Sequence, residues 1–136
     1  MLKYFAIYAA IAVVMVVLDF LWLGYIAKST YQDGIGHLMA AKPNIAVAVL
    51  FYLIYAAGVM LFAVLPNEAV PGWTKTVATG ALFGFMAYAT YDLSNLATLR
   101  DWPVSLAAID IAWGTFISAV CAGVGKAVLN YWPVNA

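Results

Sequence analysis

Charge is what this sequence has least of. Only 9% of its 136 residues are Lys, Arg, Asp or Glu, six basic and six acidic, and the formal net charge is zero. Soluble domains carry about 25% charged residues, so an ordinary globular protein is excluded. With no basic surplus there is no patch to hold nucleic acid. A single cysteine, Cys121, excludes a disulfide framework within the chain and any multi-cysteine metal site. A single histidine, His37, excludes the paired histidines of common metalloenzyme motifs. Neither a Gly-rich phosphate loop nor a Gly-x-Ser-x-Gly elbow is found.

Apolar residues are abundant instead. They make up 67% of the chain, too many for a disordered protein. A membrane-crossing helix needs about 20 predominantly apolar residues, and four such runs occur, at about 4–27, 45–65, 76–97 and 104–129. They are continuous rather than alternating, and too long for the roughly 10-residue strands of a membrane barrel. Four strands could not close a barrel, and open edges are not tolerated in lipid. The expectation is an all-α, polytopic bundle of four transmembrane helices forming one integral membrane domain over 1–136. The first run contains Asp19 and Trp22 and has no small-x-small cleavage site after it, so it reads as a retained helix.

Breakers mark the ends. Pro43, Pro66, Pro71-Gly72 and Pro133 flank the runs. Asp101-Trp102-Pro103 opens the fourth, with Asp101 expected as its N-cap and proline in its first turn. The connection from Lys28 to Asn44 is polar and is expected to hold a short interfacial segment. Four passes put both termini on one side with Lys3, Lys75 and Lys126, and leave Lys28, Lys42 and Arg100 on the other. The positive-inside rule is therefore nearly tied, and only the N-terminal amine tips the termini toward the cytoplasm.

The acids are more telling. Asp33, Glu68 and Asp101 fall in connections, but Asp19, Asp92 and Asp110 fall inside the runs. At a rise of about 1.5 Å per residue, they lie roughly 12, 8 and 9 Å from the same face. A charged residue at mid-membrane costs about 2.5–3.5 kcal/mol on insertion scales, so three at one level call for a reason. The bases, by contrast, all read as lying at or near the surfaces.

Each acid sits on a patterned helix face. Gly80, Gly84, Tyr88 and Asp92 recur at intervals of four, with Asn95 three further on. Asp110, Gly114, Ser118 and Ala122 form a second stripe of mostly small residues. Small stripes let helices approach closely, so Gly80/Gly84 or Gly114/Ser118/Ala122 is an expected face for a homodimer in the bilayer. Asp19 and Trp22 are three apart, as are Asp110 and Trp113.

The functional expectation is a pocket near one membrane face. Asp19, Asp92, Asn95 and Asp110 would wall it, surrounded by Trp22, Tyr88, Tyr91 and Trp113. Three carboxyls at close range cannot all ionise, so at least one is expected to hold a proton. Such a pocket could take a small polar, amphiphilic or lipid-derived ligand. Other readings of the same acids are proton- or cation-coupled transport, a lipid-modifying enzyme, and a structural accessory subunit whose acids only bond across helices. No cofactor or metal is indicated. His37 reads as a solvated loop residue, and Cys121 as buried packing.

Specific residues also carry a family resemblance. The segment Tyr88-Ala-Thr-Tyr-Asp-Leu-Ser-Asn-Leu-Ala-Thr-Leu-Arg-Asp-Trp-Pro103, then Ile109-Asp-Ile-Ala-Trp-Gly-Thr115 and Leu18-Asp-Phe-Leu-Trp-Leu23, resembles a family of predicted bacterial membrane proteins, domain of unknown function 2177. The resemblance implies a four-helix protein of the bacterial inner membrane. It marks Asp92, Asn95, Arg100, Trp102, Pro103, Asp110, Trp113 and Gly114 as matching positions, and brings no catalytic role.

Overall fold

The structure is a computed structural model in which residues 1–132 are described. Those residues contain no strand, and 85% of them are helical. Five helices follow in order: α1 (Leu2–Ile26), α2 (Lys28–Ile35), α3 (Ile45–Asn67), α4 (Thr74–Thr98) and α5 (Val104–Tyr131). The last turn of α1, Trp22–Ile26, and the Met60–Val64 turn of α3 are π-helical. Such wide turns re-aim the side chains that follow them. The polar 28–44 connection does form a short helix, α2, followed by a 3₁₀ turn at Gly36–Leu38.

Three helices, α1, α3 and α5, are long and apolar enough to cross a membrane by length and composition. Helix α4 has 25 residues, about 37 Å of rise, but its hydroxyl residues lower its hydropathy. Those hydroxyls are bonded locally. Thr79, Thr90, Ser94 and Thr98 each donate to the carbonyl four residues back, whereas the Thr76 hydroxyl is buried without a partner.

The outward faces are apolar. Phe5, Val13, Phe20, Leu50, Phe62, Leu82, Met86 and Phe116 are all exposed, as expected where lipid replaces water. The interior is built from Ile7, Ile11 and Met15 of α1, Ala56, Val59, Ala63 and Val64 of α3, and Ile117, Cys121 and Ala122 of α5. Cys121 is fully buried in this core.

Helices α4 and α5 make the most extensive pairing in the molecule. The two small stripes explain it, because they face one another. A Cβ on Gly80 would meet the Ser118 carbonyl oxygen at 2.8 Å, and one on Gly84 would strike the Gly114 carbonyl and the Ser118 hydroxyl. The ring of Tyr88 lies over Gly114. Both stripes are thus covered within the chain. This corrects the dimer faces expected from sequence: neither Gly80/Gly84 nor Gly114/Ser118/Ala122 is free to meet a second copy.

One further expectation is corrected. Asp101 does not cap α5; it takes a left-handed conformation at φ 60°, and Pro103 occupies the cap position without a side-chain bond. The Lys126 side chain is buried within the protein. It is 2% exposed and donates to the carbonyls of Asn67, Glu68 and Val70 at 2.8, 3.3 and 2.8 Å. Its three donors fasten the turn after α3 to α5. Lys3 pairs with Glu68 beside it. Pro133, expected to close the fourth run, lies outside the described residues.

Candidate functional site

The end of the bundle opposite Lys126 holds a cavity of about 540 Å³. Asp19 of α1, Asp92 of α4 and Asp110 of α5 all line it. Three carboxyls from three helices thus border one space. All three residues are buried, at 5%, 0% and 7% exposure.

Their surroundings differ. Asp19 accepts from the Trp113 indole at 2.8 Å on Oδ1 and from the Tyr52 hydroxyl at 2.9 Å on Oδ2. Asp110 accepts from the Tyr31 hydroxyl at 2.5 Å. Trp22 in turn donates to the Tyr31 oxygen at 3.1 Å, so α1, α2 and α5 are tied by one chain of bonds. Burial, and then the hydrogen bond to Asp110, hold the Tyr31 phenol above its ordinary range, which keeps it a neutral donor. Asp92 makes no hydrogen bond of ordinary geometry, both its carboxyl oxygens being buried; its polar neighbours are the Asp110 carboxyl and the Trp102 indole. The indole nitrogen of Trp102, another lining residue, is likewise buried without a hydrogen bond of ordinary geometry.

Aromatic rings make up much of the remaining wall. Trp113 stacks on Trp22, with centroids 4.4 Å apart and planes 4° from parallel. Tyr91 meets Trp102 edge-on at 5.8 Å. At the floor Tyr55 shares a hydrogen bond with Ser118 at 2.8 Å and packs edge-on against Tyr88. Apolar surface comes from Ala48 and Phe51 of α3, Ala87 of α4 and Leu106 of α5. Among the described residues no Lys, Arg or His lines the cavity.

The gap exists because α3 and α4 do not pack along their full lengths. Their pairing runs through the Met60–Val64 turn of α3, on the far side of Tyr55 from Ala48 and Phe51. Phe51 of α3 and Tyr91 of α4 both line the cavity and are about half exposed, at 44% and 55%. Both therefore reach from the cavity wall to the apolar exterior.

Of the eight site residues expected from sequence, Asp19, Tyr88, Tyr91, Asp92, Asp110 and Trp113 line the cavity. Trp22 does not; it stands behind Trp113 and holds Tyr31. Asn95 does not line it either. Among the supporting residues, Trp102 is part of the wall, Gly114 lies beneath Tyr88, and Arg100 is exposed away from it. Tyr31, Tyr52 and Tyr55 also line the cavity and are not among the site residues expected from sequence. His37 lies 3.9 Å from Asp101, both exposed. Among the described residues no three His, Cys, Asp or Glu side chains are grouped so as to hold a metal ion.

A family model described as a predicted membrane protein, DUF2177, matches residues 4–134. The chain belongs to this family. Membership places the apolar exterior in a lipid bilayer, and the match spans every helix and every residue of the cavity wall. No curated protein and no solved structure matches the chain.

Proposed function

We propose that this member of the family is a membrane-embedded binding protein whose carboxylate-lined pocket takes a small amphiphile, head against the acids and tail toward lipid. The observation that carries the reading is the cavity itself. It is of a size common for small-molecule sites, about 300–1,000 Å³. It combines three buried carboxyls with wall residues, Phe51 and Tyr91, that are also exposed on the apolar exterior. Intramembrane acids that face a cavity mark ligand or ion sites by default.

We read α4 as a fourth membrane pass, the membrane as the bacterial inner membrane, and the termini as cytoplasmic. Transport is the less favoured reading. Below Tyr55 the core is closed by Val59, Ile11, Ile117 and Cys121, with no polar path through it to Lys126.

The test fills the cavity without touching an acid. Ala48→Phe and Ala87→Phe each place a ring in the space. The wild-type protein, purified in mild detergent, is expected to carry an amphiphile at near one per chain by mass spectrometry of its organic extract. The filled variants should lose it while keeping their helical circular dichroism. Equal recovery from wild-type and filled proteins overturns the reading.

A further inference from the structure

The pocket's unpaired groups specify the head of its ligand. Asp19 has both oxygens occupied by donors, and Asp110 has one. Asp92 has neither, although it is fully buried. A buried carboxylate needs donors or a counter-ion, and no basic side chain among the described residues lines the cavity. What is missing is therefore a cationic donor from outside. Beside Asp92 stands Trp102, whose indole N–H makes no hydrogen bond of ordinary geometry. Around these two groups stand Tyr88, Tyr91 and Trp113, rings whose faces attract cations.

We propose, on the footing of the binding function above, that the head is a protonated amine bearing N–H groups, with a hydroxyl oxygen beside it and no phosphate in the pocket. The amine donates to the Asp92 carboxylate. The neighbouring oxygen accepts from Trp102 Nε1. A phosphate is disfavoured because it would meet three carboxyls and no cation. The ligand class is thus a long-chain amino alcohol, its chain leaving between Phe51 and Tyr91.

The probe is 2-amino-1-dodecanol, titrated into the full-length protein in phosphatidylcholine nanodiscs and followed by tryptophan fluorescence. The cavity-filled Ala48→Phe protein reports simple partition into lipid and is subtracted. Saturable, cavity-dependent binding is expected. The N-acetylated compound, dodecane-1,2-diol and dodecyl phosphate should each bind at least tenfold more weakly. Asp92→Asn should lose roughly tenfold to hundredfold in affinity for the amino alcohol, the range of a charge-assisted hydrogen bond, and little for the diol. Trp102→Phe should weaken the amino alcohol but not plain dodecylamine.

If the diol or the phosphate binds as tightly as the amine, the amine assignment is wrong and the pocket reading survives. A protonated-carboxyl infrared band that belongs to Asp92 and persists at saturating amine also overturns the assignment. If none of the probes shows binding that depends on the cavity, and nothing copurifies with the wild type, the pocket reading falls and takes this inference with it.

Discussion

The three buried aspartates are chemically alike and energetically different. Asp19 gathers a phenol and an indole, so removing its carboxyl leaves two donors without their acceptor. Asp92 makes no hydrogen bond of ordinary geometry. A buried polar group without a partner costs about 1–3 kcal/mol. The expected outcome is that Asp92→Leu stabilises the ligand-free protein by about 1–2 kcal/mol, and that Asp19→Leu destabilises it by about 2 kcal/mol. Thermal melting of both variants in the same detergent checks this. A lower melting temperature for Asp92→Leu would mean that its carboxyl is satisfied in a way the geometry does not contain. The depth of these acids was legible because a helix converts sequence distance into height at a fixed rise. The direction of a side chain was less so. Asn95 follows Asp92 by three residues, which turns it about 60° off the same line and almost a turn further toward the helix end, beyond the cavity. Tyr31 gave no signal at all, because its bond to Asp110 joins positions 79 residues apart from a helix outside the long runs.

At the scale of elements, the long helices were readable from apolar runs and breakers to within about three residues. What those runs did not disclose was which faces meet. The glycine and serine stripes read equally well as contacts within one chain or between two. The structure spends them internally, where α4 and α5 come close enough for the Gly114 carbonyl to approach Gly84. A methyl group there has backbone in its way and cannot be accommodated by a rotamer change. Gly84→Ala is therefore expected to cost about 1–3 kcal/mol, the usual range for overpacking. Gly24→Ala is the control: its added methyl has open space around it, and the change should be neutral within about 0.5 kcal/mol. Denaturation of both variants, followed by circular dichroism, separates them. A Gly84→Ala protein as stable as wild type would show that the two helices sit further apart. Lys126 makes the same point about direction. Composition alone puts a lysine near a helix end at the interface, yet here its stem runs inside and its head closes three carbonyls of the preceding turn.

For the whole molecule the deciding question is the path of α4. By composition alone it is the least apolar of the long helices, and α1, α3 and α5 are the ones whose hydropathy speaks for crossing. Packing argues that α4 crosses too. Contacts run in opposite order along the two partners, with Gly80 against Ala122, Gly84 against Ser118, and Tyr88 against Gly114. Two helices in such antiparallel register share their depth, so if α5 spans the bilayer, α4 spans it beside α5. The hydroxyls of Thr79, Thr90, Ser94 and Thr98 are no obstacle, because bonded to their own backbone they present no open donor to lipid, and the Thr76 hydroxyl is buried. The consequence is measurable. In a Cys121→Ala background, Lys75→Cys and Arg100→Cys lie at opposite ends of α4, both at exposed positions. A membrane-impermeant maleimide added to sealed, oriented vesicles is expected to label one and spare the other, and inside-out vesicles should reverse the pattern. Lys28→Cys should follow Arg100→Cys, because the connection after α1 lies at the cavity end. If Lys75→Cys and Arg100→Cys label from the same side, α4 does not cross. The cavity between α3 and α4 would then open at a membrane surface rather than within the bilayer, and an amphiphile's tail would have no lipid to leave through.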